Sequence, residues 1–340
     1  MVTIRDVARR AEVSVSTASR ILSNSTKETY SSATRDRVLN ASKELGYRAN
    51  FAARALVSGN TRIVAAVFPR IYDTPFTALA SLQILSGIEA YCSENNYHLL
   101  LSSPQIIDGE VNGSFTNLLA GGYVDGVIVD GHFCIDPVMA ALRQFQLPTI
   151  MLGYHEHPHF LRSDNFLGGC LLMRCLLDAG HRHIGIIGLP KGMSLAADQR
   201  MNGMTTEYQA HGLDADTLTC VNGTFSSDSG MAATRTLLEL SPDLTAILAL
   251  NDRMAMGAVR QLQEMGYHVP DQISVVGYDD LPQSADFNPP LTTINQQLSD
   301  WGTLAMDMLV TLLEGKEPEP IVLPPQLVIR KSTAPPNGHT

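Results

Sequence analysis

Apolar positions in the first fifty residues recur at helical spacing. Ile4, Val7, Ala8 and Ala11 fall on one face, and Thr3 with Asp6 forms a capping box ahead of them. Ser14 stands as an N-cap for a second helix, Val15 to Leu22, after a tight connection at Glu12-Val13. Ser31 or Ser32 opens a third, whose inner face is Val38, Ala41 and Leu45 and whose end is Gly46. Helix, short turn, helix and supporting helix make a helix-turn-helix module. The Ala-rich stretch from Phe51 to Val57 is only about two turns long, too short to be stable alone in water. It is expected to be a linker that becomes helical against a partner.

From Thr61 the pattern changes. Apolar runs at 63–68, 98–101, 127–129, 149–152, 183–187, 246–250 and 273–276 alternate with amphipathic stretches at 79–94, 168–179, 230–240 and 253–265. Continuous apolar strands joined by crossover helices predict parallel sheets covered on both faces. Roughly 270 residues exceed what one such sheet needs, so two lobes are expected. The predicted fold is an N-terminal all-α helix-turn-helix head plus an α/β two-lobed core of two doubly wound parallel sheets. The expected boundaries are 1–48 for the head, 49–60 for a hinge and 61–340 for the core. The tail 335–340 reads as unstructured.

Charge sharpens this division. The formal net charge is −10 over 340 residues, which taken whole argues against a nucleic-acid partner. Residues 1–62, however, hold eleven Lys/Arg against five Asp/Glu, and the remainder holds 13 against 29. A basic head on an acidic body suits a chain whose one end meets phosphates. No run of about 18 apolar residues predicts a membrane span. Asp6, Arg9, Arg10 and Glu12 interrupt the apolar stretch a signal peptide needs. Five scattered cysteines, none in a C-x-x-C pair, fit reduced thiols in a cytoplasmic, nucleoid-associated protein.

Ordered motifs then run along nearly the whole chain: Thr3-Ile4-Arg5-Asp6-Val7-Ala8, Val13-Ser14-Val15-Ser16-Thr17-Ala18-Ser19-Arg20-Ile21-Leu22, Leu45-Gly46-Tyr47 and Ala52-Ala53-Arg54-Ala55-Leu56. Val124-Asp125-Gly126, Gly180-His181-Arg182-His183-Ile184-Gly185, Asn251-Asp252, Ile273 to Asp280 and Pro290-Leu291-Thr292-Thr293-Ile294 follow. In these the chain resembles the LacI/GalR family of bacterial regulators. The resemblance implies a periplasmic-binding-protein-like core whose two lobes are joined by three crossovers, with a ligand in the cleft. It places the DNA-proximal lobe at about 61–161 and 291–320 and the distal lobe at about 162–290 and 321–333. It also implies a homodimer on double-stranded operator DNA, expected to be a pseudo-palindrome of roughly 16–20 base pairs.

For DNA reading, the N-terminal half of the second helix presents Val15, Ser16, Thr17 and Arg20. Arg20 can offer a guanidinium fork to guanine, Ser16 a hydroxyl to a base or phosphate, and Val15 a contact to a thymine methyl. The family places base contacts at the positions of Val15, Ser16 and Arg20. Core packing for Val15 and a phosphate clamp for Arg20 are the alternatives. Thr3, Ser14, Asn24, Tyr47 and Asn50 are phosphate candidates. A lone linker leucine is ordinarily core, but the family drives a leucine at the position of Leu56 into the minor groove, with small residues such as Ala53 beside it.

For the effector, Asn251 and Asp279 follow apolar strands, where open α/β sheets bind ligands. Arg200 stands in an R-x-x-G pattern with Gly203. A guanidinium, a carboxylate and an amide suit vicinal hydroxyls. Helix or turn capping is the alternative for Asn251 and Asp279. The family uses the positions of Arg200, Asn251 and Asp279 for effectors; Phe225 and Trp301 match its pocket-lining positions, with Tyr72, Phe76 and Gln296 as weaker candidates. Many sugar-responsive members carry an aspartate where this chain has Gly153-Tyr154, which leaves the ligand open between a sugar and a nucleobase-like molecule.

Other chemistries find less support. His155-Glu156-His157-Pro158-His159 is split by proline and fits no H-E-x-x-H helix, so a solvated loop is expected and no metal. Gly185 to Gly192 lacks the G-K-[ST] ending of a phosphate loop. No acid–base pair or nucleophile constellation stands out, so neither an enzyme nor a cofactor is expected. A solute-binding protein would share the core yet have no use for residues 1–60. The expected function is an effector-responsive transcriptional repressor, for carbohydrate utilisation or, alternatively, purine or nucleoside response.

Overall fold

Seven small or β-branched side chains hold the first unit of the chain together: Val7, Ala8, Ala11, Ala18, Ile21, Val38 and Ala41. They lie on three helices, α1 (Ile4–Arg10), α2 (Val15–Leu22) and α3 (Ser32–Glu44), with Ala11 as the C-cap of the first. The computed structural model describes residues 2–22, 30–47, 60–70, 79–132, 135–153 and 156–336. The chain divides into two compact units, Met1–Arg62 and Ile63–Thr340. In the first, every described helix start is fixed locally. The Asp6 carboxylate accepts the Thr3 N–H at 2.9 Å and the Thr3 hydroxyl at 2.7 Å. Ser14 accepts the Thr17 N–H at 3.0 Å, and Ser31 accepts that of Thr34 at 3.2 Å. Such caps satisfy amides that the first turn leaves unbonded.

The second unit holds two parallel sheets. The strands of the first are β1 (Ile63–Val67), β2 (His98–Ser102), β5 (Gly126–Gly131), β6 (Thr149–Gly153), β7 (Phe160–Ser163) and β13 (Ile321–Leu323). Their order is β13-β7-β6-β5-β1-β2. The second sheet contains β8 (Ile184–Gly188), β9 (Thr219–Asn222), β10 (Ala246–Ala249) and β11 (Ser274–Val276), in the order β11-β10-β8-β9. Strands β6, β8, β10 and β11 are buried along their whole length. That is why they read as unbroken apolar runs: helices cover both faces, leaving no polar side to alternate with. Two small antiparallel ribbons complete the unit, β3 (Ile106–Ile107) with β4 (Glu110–Val111), and β12 (Thr293–Asn295) with β14 (Gln326–Val328).

The exchange between lobes differs from expectation at two points. The lobe boundary expected at 290/291 lies further on. Thr292 and Asn295 bridge to Val276 and Asp279 at the edge of the second sheet, and Leu291 and Ile294 pack into its core. Leu298 and Trp301 belong to the first core, so the chain crosses near Gln296. The return expected after Pro320 also comes later, because β13 pairs with β7 in the first sheet. Backbone pairing, invisible in hydropathy, decides both.

Polar side chains fasten these crossings to the second lobe. The buried Asp252 carboxylate accepts the Leu281 N–H at 2.8 Å and the hydroxyls of Ser284 and Thr293, each at 2.5 Å. Arg330 donates to Asp280 at 2.6 Å and to the Leu291 carbonyl at 2.8 Å. His181, fully buried, joins Thr245 to the Ala334 carbonyl at 2.9 Å on each side.

Helix packing depends on close backbone approach. The helices Asn165–Asp178 and Leu195–Ala210 cross where Gly169 and Gly203 meet their neighbours. A Cβ on Gly203 would lie 2.0 Å from the Phe166 carbonyl oxygen, and one on Gly169 2.1 Å from that of Arg200. Gly203 therefore sets the depth at which Arg200 sits. Gly203→Ala is expected to cost about 1–3 kcal/mol through overpacking, read as a lower melting temperature. Gly113→Ala, at a position with open space around it, should cost nothing.

Candidate effector cleft and DNA-reading helix

Helix α2 sorts its residues by face. Ala18 and Ile21 are buried, whereas Val15 (43% exposed), Ser16 and Arg20 face solvent. Exposure at Val15 removes core packing as the reason for an apolar residue there, since it lies outside the cluster. Thr17 is half-buried, with its hydroxyl 2.8 Å from Ser14 Oγ, so it serves the cap first. Ser16 Oγ lies 2.8 Å from the same oxygen. Tyr47 packs against the apolar cluster, and its N–H donates to the Ser42 carbonyl at 2.9 Å. Asn24, Asn50, Ala53 and Leu56 lie outside the described residues, as do Tyr72 and Phe76 of the core.

In the second unit, Arg200, Asp279 and Gln296 come together. Arg200 is 5% exposed. Its Nε donates to Asn165 Oδ1 at 2.7 Å, its Nη1 to the Leu250 carbonyl at 2.6 Å, and its guanidinium lies 3.7 Å over the Tyr278 ring. Asp279 Oδ1 is 3.9 Å from Arg200 Nη1 and accepts the Gln296 amide N–H at 2.7 Å. The other end of that amide, Gln296 Oε1, is buried with no hydrogen-bond partner among the described residues. A buried acceptor left unmet is costly. Burial pushes the Asp279 carboxyl up to about 7 against the pull of Arg200; Asp252 adds to the rise, while Gln296 and His132 oppose it.

Two further candidates have partners within the protein. Asn251 Oδ1 accepts the Met254 N–H at 2.9 Å, and its Nδ2 donates to the Phe225 carbonyl at 3.2 Å. It caps the helix Asp252–Glu264 and holds Phe225, whose backbone is left-handed at φ 62°. Trp301 belongs to the core of the first sheet. It is fully buried, donates Nε1–H to the Gln296 carbonyl at 2.9 Å, and is stacked against the His132 ring with 5.8 Å between centroids and 15° between planes. An indole that large is worth most in a core, where its whole area leaves water.

Sequence reading missed Asn165 and Tyr278, which orient Arg200, and the pair Asp130 and His132 at the end of β5. The signal for the pair was a polar D-G-H interrupting an apolar strand end. Among the described residues no three His, Cys, Asp or Glu side chains converge to hold a metal ion, and no helix is long and apolar enough to cross a membrane.

Residues 3–50 match the model of the bacterial regulatory proteins of the lacI family, and residues 173–333 match a periplasmic binding protein-like domain. The chain is 34% identical over 342 residues to the HTH-type transcriptional regulator CelR of Thermobifida fusca, covering 97% of this chain and 98% of that one. This chain belongs to the LacI family of bacterial regulatory proteins. It is also 32% identical to the transcriptional repressor PurR of Mannheimia succiniciproducens, over 98% of both chains. Among solved structures it is similar to a CelR–cellobiose complex, with a TM-score of 0.72 at 31% identity over 98% of this chain and 100% of that one. It is likewise similar to the lac repressor dimer bound to operator and the anti-inducer ONPF, with a TM-score of 0.84 at 27% identity over 98% and 99%. A helix-turn-helix head and a binding-protein-like α/β core thus make this LacI-family chain a transcriptional regulator.

The raised Asp279 carboxyl gives the cleft a pH signature. Its folded pKa lies above the unfolded value, so the native state holds a proton that the unfolded chain has lost. Its contribution to stability is full below pH 4 and is lost as pH rises through about 7. Asp279→Asn should remove that dependence, so wild type should lose melting temperature relative to the variant between pH 5 and 8. Parallel curves would show that Asp279 does not titrate there.

Proposed function

We propose that this chain is a repressor of carbohydrate-utilisation genes that binds a palindromic operator as a homodimer in the cytoplasm and changes operator affinity when a small carbohydrate enters its cleft. The observation that carries the reading is the unmet Gln296 oxygen beside the Arg200–Asp279 pair. A hydroxyl both donates and accepts, so adjacent hydroxyls of one ligand can satisfy the amide oxygen, the carboxylate and the guanidinium together. Similarity to the CelR–cellobiose complex favours a carbohydrate over a nucleoside. Arg20, Ser16 and Val15 supply the side chains for base edges, with one recognition helix per half-site. Effector binding shifts the balance between two lobe arrangements only by its difference in affinity for them.

Selection of operator DNA from a random pool should yield an inverted repeat. Arg20→Ala should lower preference for it by about 10–100-fold while low-salt binding to unrelated DNA persists. Equal loss on both would reduce Arg20 to a phosphate clamp. Arg200→Ala should leave operator binding intact and abolish its response to the saccharide that stabilises wild type; an unaltered response would remove Arg200 from the site.

A further inference from the structure

The first lobe contributes its own polar group to the cleft. His132 follows β5 in the interior of the six-stranded sheet, and the charges of Arg200 and Asp279 in the other lobe both act on it. Its ring is held from two sides. Nδ1 is hydrogen-bonded to Asp130 Oδ1, which also accepts the His132 backbone N–H at 3.1 Å, and one ring face rests on Trp301. Nε2 makes no hydrogen bond to the described residues, and the side chain keeps 24% of its surface exposed. On the neighbouring strand Gly153, paired with Gly131, sets no side chain against the backbone that leads into His132. Trp301 in turn donates to the backbone of Gln296, the residue whose amide oxygen is unmet. A fixed imidazole edge and a buried amide oxygen are thus linked through one indole.

We propose that His132 is an effector-contacting residue that reads a hydroxyl of an uncharged carbohydrate through Nε2, with Asp130 as its positioning residue. This rests on the carbohydrate reading of the cleft given above. With Nδ1–H committed to Asp130, Nε2 accepts a hydrogen bond when the ring is neutral and donates one when it is charged; a hydroxyl matches either state. Burial pulls the imidazole pKa down, but the charge and hydrogen bond of Asp130 outweigh it and leave the ring raised. Asp130, Arg200 and Asp279 are the charged groups that face it.

Trp301 is the only tryptophan in the chain, so its emission reports on the stacked imidazole, which quenches indole more strongly when protonated. Wild type should brighten as pH rises through the His132 titration. Asp130→Asn should move that midpoint down by about one pH unit, and His132→Phe, which keeps a ring on Trp301, should abolish it. A panel of neutral mono- and disaccharides, including cellobiose and ribose, is then screened by melting temperature. The saccharide that stabilises wild type should bind His132→Phe at least tenfold more weakly; His132→Gln, whose amide can still donate to Asp130, should recover part of the loss. Equal affinity in wild type and His132→Phe overturns the proposal while leaving the carbohydrate reading standing. If no saccharide stabilises wild type, that reading fails and the role of His132 falls with it.

Discussion

Burying a guanidinium costs several kcal/mol of lost hydration unless its hydrogens and charge find partners. Arg200 finds them in Asn165, the Leu250 carbonyl, the Tyr278 ring and Asp279. These partners come from a helix N-terminus, a strand end and the segment after the last strand of the second sheet. The charge therefore draws three separate elements to one point. Its carboxylate partner is in turn tied by Gln296, which stands where the chain crosses to the other lobe. An uncompensated change at Arg200 would be felt both by the second lobe and by the crossing.

The surrounding frame is stiff where the cleft requires it. Paired glycines let the main helix pairs approach closely, at Gly169 and Gly203, at Gly87 and Gly302, and at Gly230 and Gly257. The Asp252 and Arg330 networks bind the crossing strands to the second sheet. At the crossing the Gln296 amide is tied to Asp279 by one hydrogen bond, and its Oε1 meets no partner among the described residues.

Local signals made much of the fold legible in the sequence. The three head helices are announced by Thr3, Ser14 and Ser31, because a cap needs only neighbours within one turn. The fully buried strands appear as apolar runs. Strands β7, β9 and β13 do not, since they are short and partly exposed, and their existence depends on pairing with distant backbone. In the cleft, Arg200 and Asp279 were legible from residue type and strand-end position. Asn251 caps the helix that follows it, the alternative its position before a helix allowed. Trp301 was read as a wall, yet its ring lies beneath His132. Asp130 and His132 left only a polar break at a strand end, and their partnership depends on a side-chain geometry that spacing alone does not fix.

Two sites that regulate each other must do so by the same factor in both directions. The most direct measurement is therefore the saccharide dissociation constant of the full chain, free and saturated with its selected operator. Coupled sites give constants that differ by the same factor as operator affinity with and without saccharide. Identical saccharide constants in the two states would contradict control of the DNA-reading head by the cleft.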